Sequence, residues 1–311
     1  MESIDISTSH DFENNSAEIV LVNPKAGSGA ASRSISAWKS LLPSDYKLVT
    51  GSCPADTERL AAQAAFAQVP RLIIVGGDGT LHHALNGYLS VPNTRTRLAV
   101  LPSGTANDYA ASLYPHAKKK QNQNLTVDVG RIRHETFQRY FLNVAGIGLT
   151  AHAAISSLPS PWFPARLRYT LGLMRTLMYG WRHTETSIQL PNQILPSIQL
   201  LTLSVAIGTR EGSFSLAPTA QLDDGQFNIL IATNLRRRDV LRYLPGLMLG
   251  KLPHRDSRIQ YLVAPYIQFR SAKPLHLHLD GEIYADGLLP AHSEITLEQA
   301  GKISIELLKT R

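Results

Sequence analysis

The 311-residue chain has a single cysteine, Cys53. One thiol builds no disulfide framework and no cysteine zinc site, so the composition points to a reducing compartment. Charge is also scarce: 18% of residues are Asp, Glu, Lys or Arg, against about 25% in an average domain. No stretch of about 18 apolar residues occurs, so no helical bilayer span is expected. Residues 1–16 carry Glu2, Asp5, Asp11 and Glu13 but no Lys or Arg. They lack the basic and apolar regions of a signal peptide and read as a polar leader. The Gly-x₄-Gly-Lys-Ser/Thr phosphate loop is missing, and there is no internal repeat. Collagen, coiled coil and low-complexity classes are excluded by the same inventory. What remains is 43% hydrophobic with a net charge of +7. That suffices for real cores and leaves a basic surplus suited to nucleic acid, an anionic membrane or a phosphate-bearing substrate.

The length gives a prior of about two domains at roughly 150 residues each. In the first half, strand-like and helix-like segments alternate. Strands are expected at Glu18–Asn23, Tyr46–Thr50, Arg71–Val75 and Arg97–Leu101. Helices are expected at Ala30–Leu42, Asp56–Gln68 and Thr80–Leu89, with a short one at Asn107–Leu113. This order implies a mostly parallel sheet covered by helices. From about residue 125 strand-like runs dominate: Thr126–Arg131, Tyr140–Val144, Thr186–Leu190, Ser197–Ile207, Phe227–Ala232, Gln260–Phe269 and Leu275–Leu279. Helical blocks at about 162–181 and 239–250 interrupt them. The expected layout is a leader at 1–16, an α/β domain at 17–125 to which 300–311 can add, and a β-rich domain at 126–299. Lys118–Lys120 and the polar run after it read as the connector.

Three glycine-bearing loops follow predicted strands. They are Asn23-Pro-Lys-Ala-Gly27-Ser-Gly29, Gly76-Gly77-Asp78-Gly79-Thr80 and Leu101-Pro-Ser-Gly104-Thr105-Ala-Asn107-Asp108. Glycines at a strand-to-helix turn let backbone N–H groups approach a phosphate, and the helix N-terminus favours its negative charge. In a doubly wound sheet the three loops share the carboxyl edge, where ligands bind. Thr50, ending the second strand, falls on that edge with a hydroxyl. Asp78 can hold a Mg²⁺ or its water, or orient a hydroxyl. Far along the chain, Asp280-Gly281-Glu282 follows an apolar strand, and such a carboxylate pair suits proton abstraction from a hydroxyl. Gly146-Ile-Gly-Leu-Thr-Ala151 is not a dinucleotide fingerprint, because no acid follows between Glu135 and Glu185. His276 and His278 alternate on a strand and read as a satisfied sheet face rather than a metal site.

These motifs, in order, resemble the diacylglycerol kinase catalytic family, in its small bacterial lipid-kinase branch. The matching segments are Asn23–Gly27, Gly76–Thr80, Pro102–Asp108, Asn143–Gly148, Pro218–Gly225 and Asp280–Glu282. The resemblance implies a Rossmann-like α/β N-terminal domain of the NAD kinase and diacylglycerol kinase type, plus a β-sandwich-like, β-rich C-terminal domain. It implies ATP and Mg²⁺ as cofactors and a lipid hydroxyl as acceptor, diacylglycerol or a related glycerolipid. The nucleotide is expected on Asn23, Gly76, Gly77, Asp78, Gly79, Thr80, Leu81 and His82, with Thr50, Gly104, Thr105 and Asn107 nearby. Glu282 is expected as the base, Asp280 as its orienting partner, and Asp78 as the alternative base or Mg²⁺ organiser. A structural Mg²⁺ is implied at Gln221, Asp224 and Gln226, the glutamines acting through backbone carbonyls. Two departures are Thr150, where the family often has an acid near the presumed head group, and Thr209–Ser213, where a glycine-rich stretch is usual.

Residues 136–184 contain no acid but carry Arg139, Arg166, Arg168, Arg175 and Arg182 among aromatics. A helix at 165–182 would put Leu167, Leu171, Met174, Met178 and Trp181 on one face, with the arginines on another. That pattern suits peripheral docking at an anionic membrane from the cytoplasmic side. Arg236–Arg238 with Arg242 could extend this footprint or face water. No nucleic-acid-binding arrangement is visible. Two alternatives stay open: a soluble NAD kinase-like enzyme, and a non-catalytic nucleotide-sensing module at the membrane.

Overall fold

The computed structural model describes residues 17–24, 42, 44–104, 106–156, 165–212 and 214–308, with only the backbone at 165–169, 285 and 286. The chain divides into two compact units, residues 1–127 with 302–311, and residues 128–301. Both divisions fall within long strands, β5 (Asn124–His134) and β15 (Glu294–Leu307).

The first unit is a parallel sheet. Its strands are β1 (Glu18–Val22), β2 (Tyr46–Thr50), β3 (Arg71–Gly76) and β4 (Arg97–Pro102), in the order β2-β1-β3-β4, with the end of β15 beside β4. Runs such as Arg71-Leu-Ile-Ile-Val75 are buried along almost their whole length, as strands covered on both faces must be. Val20, Val22, Ile73, Val75, Ala99, Leu101 and Leu308 form one core cluster. Arg71 pairs with Glu18 and Glu306, each at 2.7 Å, tying the C-terminal strand to this sheet. Helices α1 (Pro54–Phe66) and α2 (Asp78–Leu89) pack closely where a Cβ on Gly87 would lie 2.0 Å from the Glu58 carbonyl. Of the expected helix at Ala30–Leu42 only Leu42 is described, and the loop at 25–29 lies outside the described residues.

Helix α3 (Asp108–Lys120) is longer than the expected Asn107–Leu113 and runs on past Pro115. Buried Leu113 and Ala117 anchor its second half. Lys118–Lys120 are therefore the last turn of this helix, not a connector; their charge suits the helix C-terminus.

The second unit is antiparallel. Its remaining strands are β6 (Phe137–Phe141), β7 (Val144–Gly148), β8 (Thr184–Leu190), β9 (Gln193–Ala206), β10 (Phe227–Thr233), β11 (Ile259–Ala264), β12 (Tyr266–Ser271), β13 (Leu275–Leu279) and β14 (Glu282–Leu289). The main path is β14-β13-β7-β9-β8-β12-β15. Strand β9 is long enough to pair twice: its first half with β8, its second with both β7 and β10. The run Tyr140–Val144 is not one strand; it spans the turn between β6 and β7. Likewise Gln260–Phe269 is two strands, β11 and β12, meeting at Pro265, which supplies no N–H to continue a ladder.

Helices α4 (Leu149–Ile155), α5 (Ala165–Tyr179) and α6 (Arg237–Met248) cover one face of β9 and β10 through Leu173, Leu177, Leu201, Leu230 and Leu244. The packed side of α5 is rotated from the apolar face that Leu171, Met174 and Met178 form. Leu173, Thr176 and Leu177 turn inward, while Leu171, Met174 and Met178 are exposed. The rotation follows from α4: His152 Nδ1 lies 3.0 Å from the Thr176 hydroxyl, and Gly180 leaves room for the same imidazole.

Candidate active site

In the first unit the parallel register puts the ends of β1, β2, β3 and β4 side by side, Val22 next to both Thr50 and Val75, and Gly76 next to Pro102. Asn23, Thr50, Gly76–Thr80, Gly104 and Asn107 thus share one edge. The loops touch here because they lack side chains: a Cβ on Gly104 would sit 2.4 Å from the Gly77 Cα, and one on Gly76 2.4 Å from the Thr80 Cβ. Asn23 Nδ2 donates to Thr80 Oγ1 at 3.2 Å, and the Ser103 amide donates to the Gly76 carbonyl at 2.8 Å. Asn107, in the left-handed region at φ +50°, accepts from the Gly104 amide and donates to its carbonyl, both at 2.9 Å.

Helix α2 starts at Gly77 with no side-chain cap, so its first turn presents backbone N–H groups at this edge, a setting suited to phosphate. Asp78 faces elsewhere: Oδ2 accepts the Asp108 amide at 3.0 Å and Oδ1 the Tyr109 amide at 3.1 Å. It thereby caps α3 and links two of the glycine loops. Leu81 and His82 are buried, which leaves their side chains in the core rather than on the edge. Thr105 and the Lys25–Gly29 segment lie outside the described residues.

In the second unit Asp280 and Gly281 turn the chain from β13 into β14 at φ +54° and +90°. Asp280 Oδ1 accepts the amides of Asn143 (2.8 Å) and Val144 (3.1 Å), and Oδ2 that of Leu142 (3.1 Å). One carboxylate thus organises the β6–β7 turn, which explains the break inside Tyr140–Val144. Glu282 opens β14 opposite Leu279, with a half-buried side chain.

The turn before β10 carries Gln221 and Asp224, both exposed, and half-buried Gln226, whose amide donates to Asp224 Oδ1 at 3.0 Å. Its donors are hard oxygens with Asp224 as carboxylate, a set that fits a hard cation such as Mg²⁺. Among the described residues no three His, Cys, Asp or Glu side chains converge on a metal position. Sequence reasoning missed Asp128, which is buried and accepts the Gly225 amide at 2.7 Å, fixing this turn from β5. It also missed Glu211 and read His278 as part of a sheet face. Both are buried, with Glu211 Oε1 2.8 Å from His278 Nε2. A single acid in a loop gives no sequence signal for a partner 67 residues away.

Beneath α4, α5 and α6 lies a narrow apolar cavity of about 80 Å³. Leu149, Leu173, Phe214, Leu230, Leu244 and Ile259 line it, with Thr150 and Thr202 among the few polar groups. Outside it, α5 exposes Met178 and Tyr179 (58% and 80%) beside Arg175, and α6 ends on exposed Met248 and Leu249 after Arg236–Arg238 and Arg242.

Known proteins resemble this chain. The diacylglycerol kinase catalytic domain matches residues 18–136, and the YegS C-terminal NAD kinase beta sandwich-like domain matches 143–299. A Chromohalobacter salexigens protein named "Probable lipid kinase YegS-like" is 31% identical over 73% of this chain and 74% of its own. The diacylglycerol kinase of Bacillus subtilis is 26% identical over 77% and 79%. A crystal structure of a diacylglycerol kinase from Bacillus anthracis superposes with a TM-score of 0.63, at 19% identity over 93% of this chain and 96% of that one. That likeness speaks for the fold: a Rossmann-like α/β part followed by a β-sandwich-like part.

Proposed function

This chain belongs to the diacylglycerol kinase catalytic family, in its YegS-like branch, and from that premise we propose that this kinase transfers the γ-phosphoryl group of ATP to the hydroxyl of a glycerolipid, diacylglycerol or a close relative. The observation that carries the lipid half of this reading is the apolar cavity of the second unit. At about 80 Å³ it has room for the tip of an acyl chain rather than a whole one, and its leucine and phenylalanine walls offer nothing to the polar acceptor of a soluble NAD kinase.

Phosphoryl transfer needs positioning and charge neutralisation more than covalent chemistry. The uncapped start of α2 and the amides of Gly77, Gly79 and Thr80 would bind ATP phosphates, with Asn23, Thr50, Gly104 and Asn107 shaping that edge. The Mg²⁺ that accompanies ATP supplies charge neutralisation when bound. A second, structural Mg²⁺ would be held by Asp224 and the carbonyls of Gln221 and Gln226, stiffening the turn. We assign Glu282 as the group that takes the lipid hydroxyl proton. Asp280 and Asp78 are positioning residues, because both oxygens of each already accept backbone amides. The acid-free helix α5, with exposed Leu171, Met174, Met178 and Arg175, would rest on an anionic membrane.

The test is incubation with γ-labelled ATP, Mg²⁺ and a panel of diacylglycerol, phosphatidylglycerol, monoacylglycerol and a sphingoid base in mixed micelles, with NAD in a parallel arm. Label in a glycerolipid is expected. Label in NAD alone, or in nothing, would overturn the reading.

A further inference from the structure

Three strands of the second unit bring His278, Gly146 and Ser204 into one row: His278 of β13 is opposite Gly146 of β7, and Gly146 is opposite Ser204 of β9. Onto this row the loop after β9 lowers Glu211, which is 2% exposed, as is His278. Gly146 makes the space; a Cβ there would lie 2.2 Å from His278 Nε2 and 2.6 Å from Glu211 Oε1. Glu211 Oε1 is 2.8 Å from His278 Nε2, and Oε2 accepts the Ser204 hydroxyl at 2.7 Å. The other imidazole nitrogen, Nδ1, accepts the amide hydrogen of Gly281 at 3.2 Å.

This geometry fixes the tautomer. A nitrogen that accepts an amide hydrogen carries no proton, so the proton of the neutral ring is on Nε2 and is donated to Glu211. Burial alone would push the Glu211 carboxyl up. The His278 imidazole and the hydroxyls of Ser204 and Thr150 outweigh that and hold the carboxyl below its ordinary range. A buried carboxylate is seldom kept for stability, since apolar residues of similar volume do as well or better. What this pair supplies is direction: it aims a hydrogen-bond acceptor at the middle residue of Asp280-Gly281-Glu282.

We infer that Glu211 and His278 are positioning residues for the turn that carries Glu282. Asp280 holds one side of the turn through the β6–β7 amides. The Glu211–His278 relay holds the other through the Gly281 amide, and so sets the path on which Glu282 enters β14. The inference rests on the assignment of Glu282 as base.

Two variants separate the links of the relay. In His278→Gln the side-chain amide can still donate to Glu211, but the acceptor for Gly281 is gone. In His278→Asn with Glu211→Gln the asparagine oxygen can take the place of Nδ1 and accept from Gly281, while no buried anion is stranded. For His278→Gln, kcat should fall by on the order of 10²-fold with KM for ATP held within about twofold, as for a small displacement of a reacting group. The double variant should keep kcat within about threefold. Hydrogen exchange of the Gly281 amide reads the relay without reference to activity: it should accelerate in His278→Gln and stay near wild type in the double variant. Unchanged Gly281 exchange in His278→Gln overturns the relay by itself. So does a double variant as impaired as His278→Gln. Accelerated exchange with unchanged kcat would instead overturn the assignment of Glu282, and the inference with it.

Discussion

Two glycine turns, one in each unit, carry an aspartate, and both use it in the same way. Asp78 accepts two backbone amides at the start of α3; Asp280 accepts three in the β6–β7 turn. The difference lies in what stands beside them. Next to Asp78 the chain offers Gly77, Gly79 and an uncapped helix start, which is a surface for an anion. Next to Asp280 it offers Gly281 and the carboxylate of Glu282, which is a group for a proton. The shared aspartate builds each loop, and its neighbours decide what the loop does.

Replacing these clamps gives the largest effects and breaks the comparison if the two are not alike. Asp280→Ala leaves three amides without their acceptor and should cost on the order of 3 kcal/mol, with transfer to lipid lost. Asp78→Ala removes two acceptors and should cost less; thermal unfolding with a parallel activity assay ranks the two. Gly104→Ala comes next. Its Cβ would meet Gly77 backbone, which cannot swing away as a flexible side chain could. KM for ATP should rise by about tenfold and the melting temperature should fall, because the backbone that must shift forms the ligand edge.

Charge reversal on the second unit sharpens the contrast from outside the sites. Arg175→Glu with Arg182→Glu should weaken flotation with anionic vesicles by about 30-fold or more while activity on a dispersed short-chain lipid persists, as expected for about 1 kcal/mol per basic residue at such a surface. Undiminished flotation would remove α5 from the membrane contact. The smallest effect concerns pH. Burial holds His152 and His276 below the ordinary histidine range; charge repulsion from Arg182 adds to this at both, and that of His276 at His152. The unfolded chain therefore binds protons more readily. Stability should fall as pH drops from about 6.5 toward the lower folded values. His276→Gln should flatten that slope in urea titrations at pH 5.5 to 7.5, about the window in which histidine titrates.

Much of this was legible in the residues. Apolar runs followed by glycine-bearing loops announced β1, β3 and β4, and the sheet edge they share followed from βα alternation. Asp280 and Glu282 were visible as a pair. What escaped were contacts made at a distance. The break at Leu142–Asn143 is dictated by Asp280, 137 residues further on. The inward face of α5 is dictated by His152, which needed the Thr176 hydroxyl. Glu211 carries no local pattern, and its meaning depends on a glycine in β7 that makes room for it. Strand β14 (Glu282–Leu289) was not among the expected strands, and Asp286 and Gly287 interrupt its apolar pattern.

A proton taken by Glu282, with Asp78 confined to building its loop, separates the two residues by what each loses. Glu282→Gln and Asp78→Asn should be compared for calorimetric ATP binding and for labelled phosphate delivered to diacylglycerol. Glu282→Gln should bind ATP as wild type does and lose turnover by about 10²- to 10⁴-fold, the range for a missing general base. Asp78→Asn should weaken ATP binding while retaining a larger share of kcat. Near-normal turnover in Glu282→Gln, with turnover abolished in Asp78→Asn at unchanged ATP affinity, would contradict the account.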